Sequence, residues 1–355
     1  MALTDIDAGR LADNVFNVTG ANKNRIINGD MRIDQRNAGA SVTPSNSYTL
    51  DRWTTYNSPA SKFTVQQASD GPAGFQKSLK VTSSSAYTVA AGEFQGVLTK
   101  IEGYNIADLA WGTASAKTAT LSFWVKSSLT GTFGGSLTNA GYARSYPFSY
   151  SISSANTWEY KTITIAGDTS GTWETTTSTG IELTFGLGVG STYSAAAGTW
   201  VGSWIASATG ATSVVGTNGA TFYITGVQLE AGSVATPFEH RNYGQELQLC
   251  ERYFQIHGSK TQADRAYAAG SMTLSTEVQC ALQHRCEMRS SPTVTASGNH
   301  IARTGASALT ATFSAGESSV YGTSLYFTCS GGTQGNGVYL RSGSGGGTVN
   351  LTAEL

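Results

Sequence analysis

The chain has 355 residues, of which 39% are hydrophobic and 13% charged, with 22 basic and 23 acidic side chains and a formal net charge of −1. Charge this sparse and balanced makes no field for a phosphate backbone or an anionic membrane, which excludes nucleic acid as an expected partner; disorder, which needs low hydrophobicity with high net charge, is excluded too. The 42 glycines suit short strands with frequent turns, and the length exceeds what one hydrophobic core usually organises, so two domains with short extras are expected.

The opening residues 1–7 lack the basic and apolar blocks of a signal peptide, and no apolar run approaches the ~18 residues of a membrane span, so synthesis in the cytoplasm without membrane insertion is expected. Residues 1–22 read as an anchoring arm. Thr4 and Asp7 are spaced as a capping box, and Leu11, Val15 and Phe16 share one helical face. A stripe this small needs a partner surface, either its own domain or a neighbouring protein.

From Asn24 to about Glu230 the pattern has period two. Leu121, Phe123 and Val125 alternate with Ser122, Trp124 and Lys126; Ile181, Leu183, Phe185, Leu187 and Val189 alternate with Glu182, Thr184, Gly186 and Gly188. Each run offers one apolar face to a second sheet. Turn signals fall at Asn28-Gly29, Asp70-Gly71-Pro72, Gly134-Gly135, Asn139-Ala140-Gly141 and Asn218-Gly219. Many short strands without intervening long helices predict an all-β, jelly-roll-like sandwich rather than a parallel α/β sheet.

A short helix is predicted over 244–254, with Leu247, Cys250, Tyr253 and Phe254 at helical spacing after the connector Glu239-His240-Arg241. Strands over 273–282, 320–329 and 349–355 then make a small C-terminal β-domain. The expected divisions are an arm at 1–22, the sandwich at 23–236, a connector and helix at 237–256 and the C-terminal β-domain at 257–355. Cys250, Cys280, Cys286 and Cys329 all lie in the last third, which argues against a disulfide framework in the larger domain; they read as reduced, mostly buried small hydrophobes.

Read as a strand, residues 30–36 put Asp30, Arg32, Asp34 and Arg36 on one face. Asp30 and Asp34 would then stand ~13 Å apart, beyond the separation glycosidases use, and an arginine neighbour lowers rather than raises an acid's pKa. Structural ion pairing is the reading, with a bound cation near Asp30 as the alternative. Seven tryptophans and 16 tyrosines supply rings either for packing or for stacking on the apolar faces of sugars. Trp124 falls in the polar phase of its strand, and Trp200 and Trp204 sit in a Gly/Ser/Ala-rich stretch, so these three are the glycan-contact candidates.

Cys280, His284 and Cys286 bring zinc to mind, yet on a strand they spread over ~20 Å and no matching fourth ligand is evident. Cys250 with His240, or Cys286 with His284, lacks the motif of a nucleophile and base. Gly186-x-Gly188-x-Gly190 is followed by no helix, and Gly343-Ser344-Gly345-Gly346-Gly347 lacks the Lys-Ser/Thr of a phosphate loop, so both read as turn chemistry or loop. No catalytic residue, metal or cofactor is expected.

Several stretches in order resemble phage tail-fibre and related virion proteins that carry carbohydrate-binding-module-like jelly rolls. They are Asn24-Arg25-Ile26-Ile27-Asn28-Gly29-Asp30-Met31 with Gln35-Arg36; Tyr48-Thr49-Leu50-Asp51-Arg52-Trp53; Leu121-Ser122-Phe123-Trp124-Val125-Lys126; and Trp158 leading into Thr162-Ile163-Thr164-Ile165. The close is similar too, in Phe222-Tyr223-Ile224-Thr225-Gly226-Val227-Gln228-Leu229-Glu230, Pro237-Phe238-Glu239, Glu246-Leu247-x2-Cys250-x-Arg252-Tyr253-Phe254 and the final Ala353-Glu354-Leu355. Where such domains often carry a Trp before the Gln-Arg pair, this chain has Asp34, so an aromatic contact there does not carry over.

The resemblance implies a non-enzymatic virion component, commonly a homotrimer, a tail-fibre or adhesin subunit meeting host cell-surface polysaccharide and joined to other virion proteins through the arm. A capsid decoration or head-fibre protein is the alternative, followed by a cellular carbohydrate-binding protein. A capsule depolymerase is the remaining alternative, for which neither a carboxylate pair nor the repeats of a β-helix are found.

Overall fold

The computed structural model describes residues 23–305 and 307–355, so the expected arm with Leu11, Val15 and Phe16 lies outside the described residues. The chain divides into two units, one ending at Tyr243 and one running from Gly244 to Leu355.

In chain order the first unit carries β1 (Tyr48–Leu50), β2 (Trp53–Ser58), β3 (Phe63–Ala68), β4 (Ser78–Ser83), β5 (Phe94–Glu102), β6 (Ala119–Ser127), β7 (Gly131–Asn139), β8 (Ser145–Ile152), β9 (Glu159–Ile165), β10 (Thr179–Val189), β11 (Ser194–Ala195), β12 (Ser207–Ala208) and β13 (Thr221–Ala231). Among the described residues, one sheet has the order β1-β2-β5-β10-β7-β8 and a second the order β3-β4-β13-β6-β9. Their pairings are antiparallel, and the two inner faces share one core, making the expected jelly-roll-like β-sandwich. Leu121, Phe123 and Val125 of β6 meet Ile181, Leu183, Phe185 and Leu187 of β10, all fully buried, with the Phe123 and Phe185 rings 5.1 Å apart. In β13 the inward phase changes from Phe222 and Ile224 to Val227 and Leu229. A bulge at Gly226 (φ +61°) absorbs the extra residue, so both apolar pairs face inward.

Three local expectations are corrected. Residues 30–36 are not a strand: Met31 has φ +58° and residues 35–39 form a turn, so the period-two argument for one charged face does not hold. Buried Asn28 organises this segment, its side chain accepting from the Ile33 N–H at 2.9 Å and donating to the carbonyls of Ile33 and Asp51, each at 2.8 Å. Gly134-Gly135 is not a turn but the middle of β7. A Cβ on Gly135 would come within 2.5 Å of the Phe148 ring, and one on Gly134 within 2.9 Å of the Ala208 backbone nitrogen. Gly186 and Gly188 lie within β10, as their place in the 181–189 alternation predicts and against the turn reading of Gly186-x-Gly188-x-Gly190, and a Cβ on Gly186 would stand 2.8 Å from Ser207 Oγ. Glycine in these strands lets another segment approach closely.

Helix α1 (Tyr243–Glu251), which opens the second unit from its second residue on, ends earlier than the expected 244–254, because Phe254 already pairs with Thr352 at the start of β14 (Phe254–Ser259). The following strands are β15 (Ala266–Leu274), β16 (Glu277–Gln283), β17 (Thr293–Thr304), β18 (Ser307–Ser318), β19 (Gly322–Thr328) and β20 (Gly337–Thr352). Residues 273–282 are thus a hairpin rather than one strand, with Met272 pairing to Val278 across Ser275 and Thr276. The sheet order β14-β20-β15-β16-β19-β18-β17, with β17 also paired to β20, closes the sheet on itself as a barrel. The glycine run at 343–347 is correspondingly not a loop. It sits inside β20, where Gly345 (φ +78°) and Gly346 (φ +93°) bend the strand between the half that pairs with β15 and the half that pairs with β14. Val278, Leu325, Phe327, Leu340, Val349 and Leu351 fill the interior.

Candidate functional site

The face of the six-stranded sheet turned away from the core is covered in part by residues 191–211. Two short parallel strands tie this segment together, Ser194 opposite Ser207 and Ala195 opposite Ala208, and Ser207 rests on the side-chain-free surface of Gly134 and Gly186. These two glycines, in the outward phase of β7 and β10, thereby dock the loop that carries Trp204.

Trp204 is half-buried and packs against four rings from different parts of the chain. Their centroids lie at 4.6 Å for Tyr193, 4.9 Å for Phe94, 5.8 Å for Tyr56 and 6.0 Å for Tyr142. Tyr56 and Phe94 reach this face from β2 and β5, while Tyr142 projects from the β7–β8 turn and is exposed. The Tyr142 hydroxyl donates to Glu182 Oε2 at 3.3 Å, and Lys100 Nζ lies 3.8 Å from the same oxygen. Glu182 is buried, and its Oε1 has no hydrogen-bond partner among the described residues. Burial raises the Glu182 carboxyl pKa against the opposing pull of Lys100; burial and the Glu182 charge push the Tyr142 phenol up. The arrangement is an aromatic shelf above a buried carboxylate, suited to a ligand that offers an apolar face to the rings.

The other tryptophan candidates stand elsewhere, and the ring contacts of the three share no residue. Trp200 donates its indole N–H to the Ala166 carbonyl at 2.8 Å and packs with Trp111, Trp173 and Tyr146, under the Arg144 guanidinium that Asp168 holds. Trp124 lies on the outer face of the five-stranded sheet, 5.3 Å from the Tyr160 ring. Beside it Lys126 sits over the rings of Trp158 and Tyr223, at 5.1 and 4.3 Å, and pairs with Asp70, which holds that carboxyl below its ordinary range.

Asp30 pairs with Arg32, and Arg32 also donates to the Arg241 carbonyl at 2.7 Å. Asp34 accepts from the backbone N–H groups of Asn37 and Gly39, and Arg36 lies over the Tyr48 ring at 5.1 Å. Among the described residues no three His, Cys, Asp or Glu side chains are grouped for a metal. His284 instead has its ring nitrogens 3.0 Å from the Val320 carbonyl and 2.9 Å from Thr323 Oγ1.

Sequence reasoning reached Trp204 but missed Tyr56, Phe94, Tyr142, Tyr193, Lys100 and Glu182. The available signal was an aromatic or charged residue in the outward phase of an otherwise well-alternating strand; Glu182, between Ile181 and Leu183, carried it.

No protein-family model matches the chain, and no curated protein matches it. Among solved structures, the enzymatically active domain of tailspike protein 4 from bacteriophage CBA120 aligns at 13% identity over 59% of this chain and 22% of that chain, with a TM-score of 0.33. The family 11 carbohydrate-binding module of a cellulosomal cellulase from Clostridium thermocellum aligns at 13% identity over 58% of this chain and 99% of that chain, with a TM-score of 0.29. The fold assignment rests on the strand order and the shared core described above.

Proposed function

We propose that the sandwich binds a glycan across the Trp204 cluster and that the chain serves at the surface of a phage particle as a tail-fibre or adhesin subunit. The observation that carries the glycan reading is the set of rings from Tyr56, Phe94, Tyr142, Tyr193 and Trp204 gathered on one outer sheet face, with Tyr142 exposed at its edge. Rings take the C–H faces of a sugar. The placement on a particle, the trimer and the docking of residues 1–22 on another virion protein rest on the order of motifs in the sequence. We read the site as one of binding rather than cleavage, since Glu182, its nearest carboxylate, is buried and engaged by Lys100 and Tyr142 rather than open to a glycosidic bond.

Trp204→Ala is expected to weaken binding of host surface polysaccharide about tenfold or more, as removal of a central aromatic anchor does. Titration of the full chain followed by calorimetry measures this, and an unchanged affinity sinks the site. Mass spectrometry of purified particles tests the assignment to a virion, which fails if the chain is missing from them.

A further inference from the structure

The C-terminal unit has a polar cleft of its own, of about 490 Å³, lined by His257, Ser259, Gln262, Arg265, Tyr267 and Arg285 together with Gly258 and Ala266. The volume is in the ~300–1,000 Å³ range of small-ligand sites, larger than a bare ion requires. No acidic side chain lines it. Of its two arginines, Arg285 is neutralised: Glu251 takes one terminal nitrogen at 2.6 Å and the Ile256 carbonyl takes the other at 2.8 Å. Arg265 is not. Its Nε donates to Gln262 Oε1 at 2.9 Å, and its two terminal nitrogens have no partner among the described residues. The adjacent Asp264 is engaged by Arg341.

The cleft is also built rather than incidental. The Asp264 N–H donates to the Ser342 carbonyl at 2.9 Å and the Ser342 N–H to the Arg265 carbonyl at 3.1 Å, which stitches the segment before β15 to β20 and fixes where Arg265 starts. Ser259 Oγ accepts from the Gln262 N–H at 3.0 Å, and the Tyr267 hydroxyl is held 2.7 Å from Nδ1 of buried His300. A guanidinium oriented through Nε presents its remaining N–H groups as a fork matched to a planar carboxylate.

We propose that this cleft takes the carboxylate of an acidic saccharide, with Arg265 as the partner of the anion and Ser259 and Gln262 beside it for sugar hydroxyls. The site is separate from the Trp204 cluster and does not depend on it. The test is isothermal titration of the full chain with a glucuronate-containing oligosaccharide, its neutral glucose counterpart and inorganic phosphate. The expected result is that the acidic oligosaccharide binds at least about tenfold more tightly than either control, and that Arg265→Gln abolishes that margin. Binding should weaken with added salt, and Trp204→Ala should leave it unchanged. Arg265 is exposed, so Arg265→Gln is expected to unfold with the wild-type midpoint, which checks that the variant is folded. Four outcomes overturn the proposal: no binding of the acidic oligosaccharide, equal affinity in Arg265→Gln, phosphate binding as tight as the oligosaccharide, or loss of binding in Trp204→Ala, which assigns the ligand to the sandwich.

Discussion

Replacing Trp53 with alanine is expected to cost the sandwich about 3–5 kcal/mol, a large part of the ~5–15 kcal/mol that holds a domain folded. Trp53 is the largest fully buried side chain of the core, and its ring lies 6.4 Å from that of Phe185. Its removal leaves a void that neighbours on paired strands cannot close without breaking register: β2 is held to β5 from Trp53 opposite Thr99 to Ser58 opposite Phe94. The indole N–H donates to the Asn28 carbonyl at 3.0 Å, and Asn28 also organises the buried turn through Ile33 and Asp51. Truncation therefore leaves a buried carbonyl short of a donor as well. Trp53→Phe, which keeps most of the ring but loses the N–H, should cost only about 1–2 kcal/mol. Urea unfolding followed by fluorescence of the other tryptophans, all at or before Trp204, measures both variants. An alanine variant within about 1 kcal/mol of wild type contradicts the claim that this contact holds β2 to the turn at Asn28.

The same residues show how far a sequence reading reaches. In β6 and β10 the apolar face is legible because period two is enforced by burial on one side: the Leu, Phe, Val and Ile side chains assigned to that face are buried, except Val189, half-buried at the end of β10. The reading fails where the backbone leaves ordinary geometry. Asn28-Gly29 signals a turn, but nothing in the next residues announces that Met31 also takes positive φ and destroys the alternation of Asp30, Arg32, Asp34 and Arg36. Glycine is ambiguous for the same reason. Gly134, Gly135 and Gly186 look like turn residues because glycine tolerates any backbone, yet here they are strand positions kept bare so that Phe148 and Ser207 fit. That ambiguity also hid the site. Trp204 was visible as an aromatic in a polar stretch, whereas its partners at Tyr56, Phe94, Tyr142 and Tyr193 are gathered only by the sheet order and by the loop docking on those glycines. Glu182 was visible as the polar half of an alternation, and its burial was not.

The C-terminal barrel is expected to lose stability in mild acid, and His257 sets the size of the loss. Burial, with help from the positive charge of Arg285 and from His284, lowers the His257 pKa from the ordinary 6.5 to about 4. Its ring nitrogen Nε2 lies 3.1 Å from the Gln255 side-chain oxygen, which spares the neutral ring an unsatisfied group. A histidine whose folded pKa lies below its unfolded value binds more protons when unfolded. The stability it supports is therefore intact above about pH 6.5, falls as pH drops from there, and stops falling below about pH 4. Carried across that window the linkage amounts to about 3 kcal/mol. Burial lowers His284 and His300 as well, so their contributions have the same sign.

Tryptophan fluorescence is blind to the barrel, but its thiols are not: Cys280 is buried there, and burial pushes its thiol up to about 12, which keeps it unreactive until the barrel opens. Urea unfolding at a series of pH values, read by a brief thiol-labelling pulse delivered at one common pH, should show a midpoint that falls between pH 6.5 and 4. His257→Gln, which cannot take up the proton, should flatten most of that slope while Trp53→Ala leaves it in place. A midpoint independent of pH in the wild type, or an equal slope in His257→Gln, would place the acid sensitivity elsewhere and remove His257 as its source.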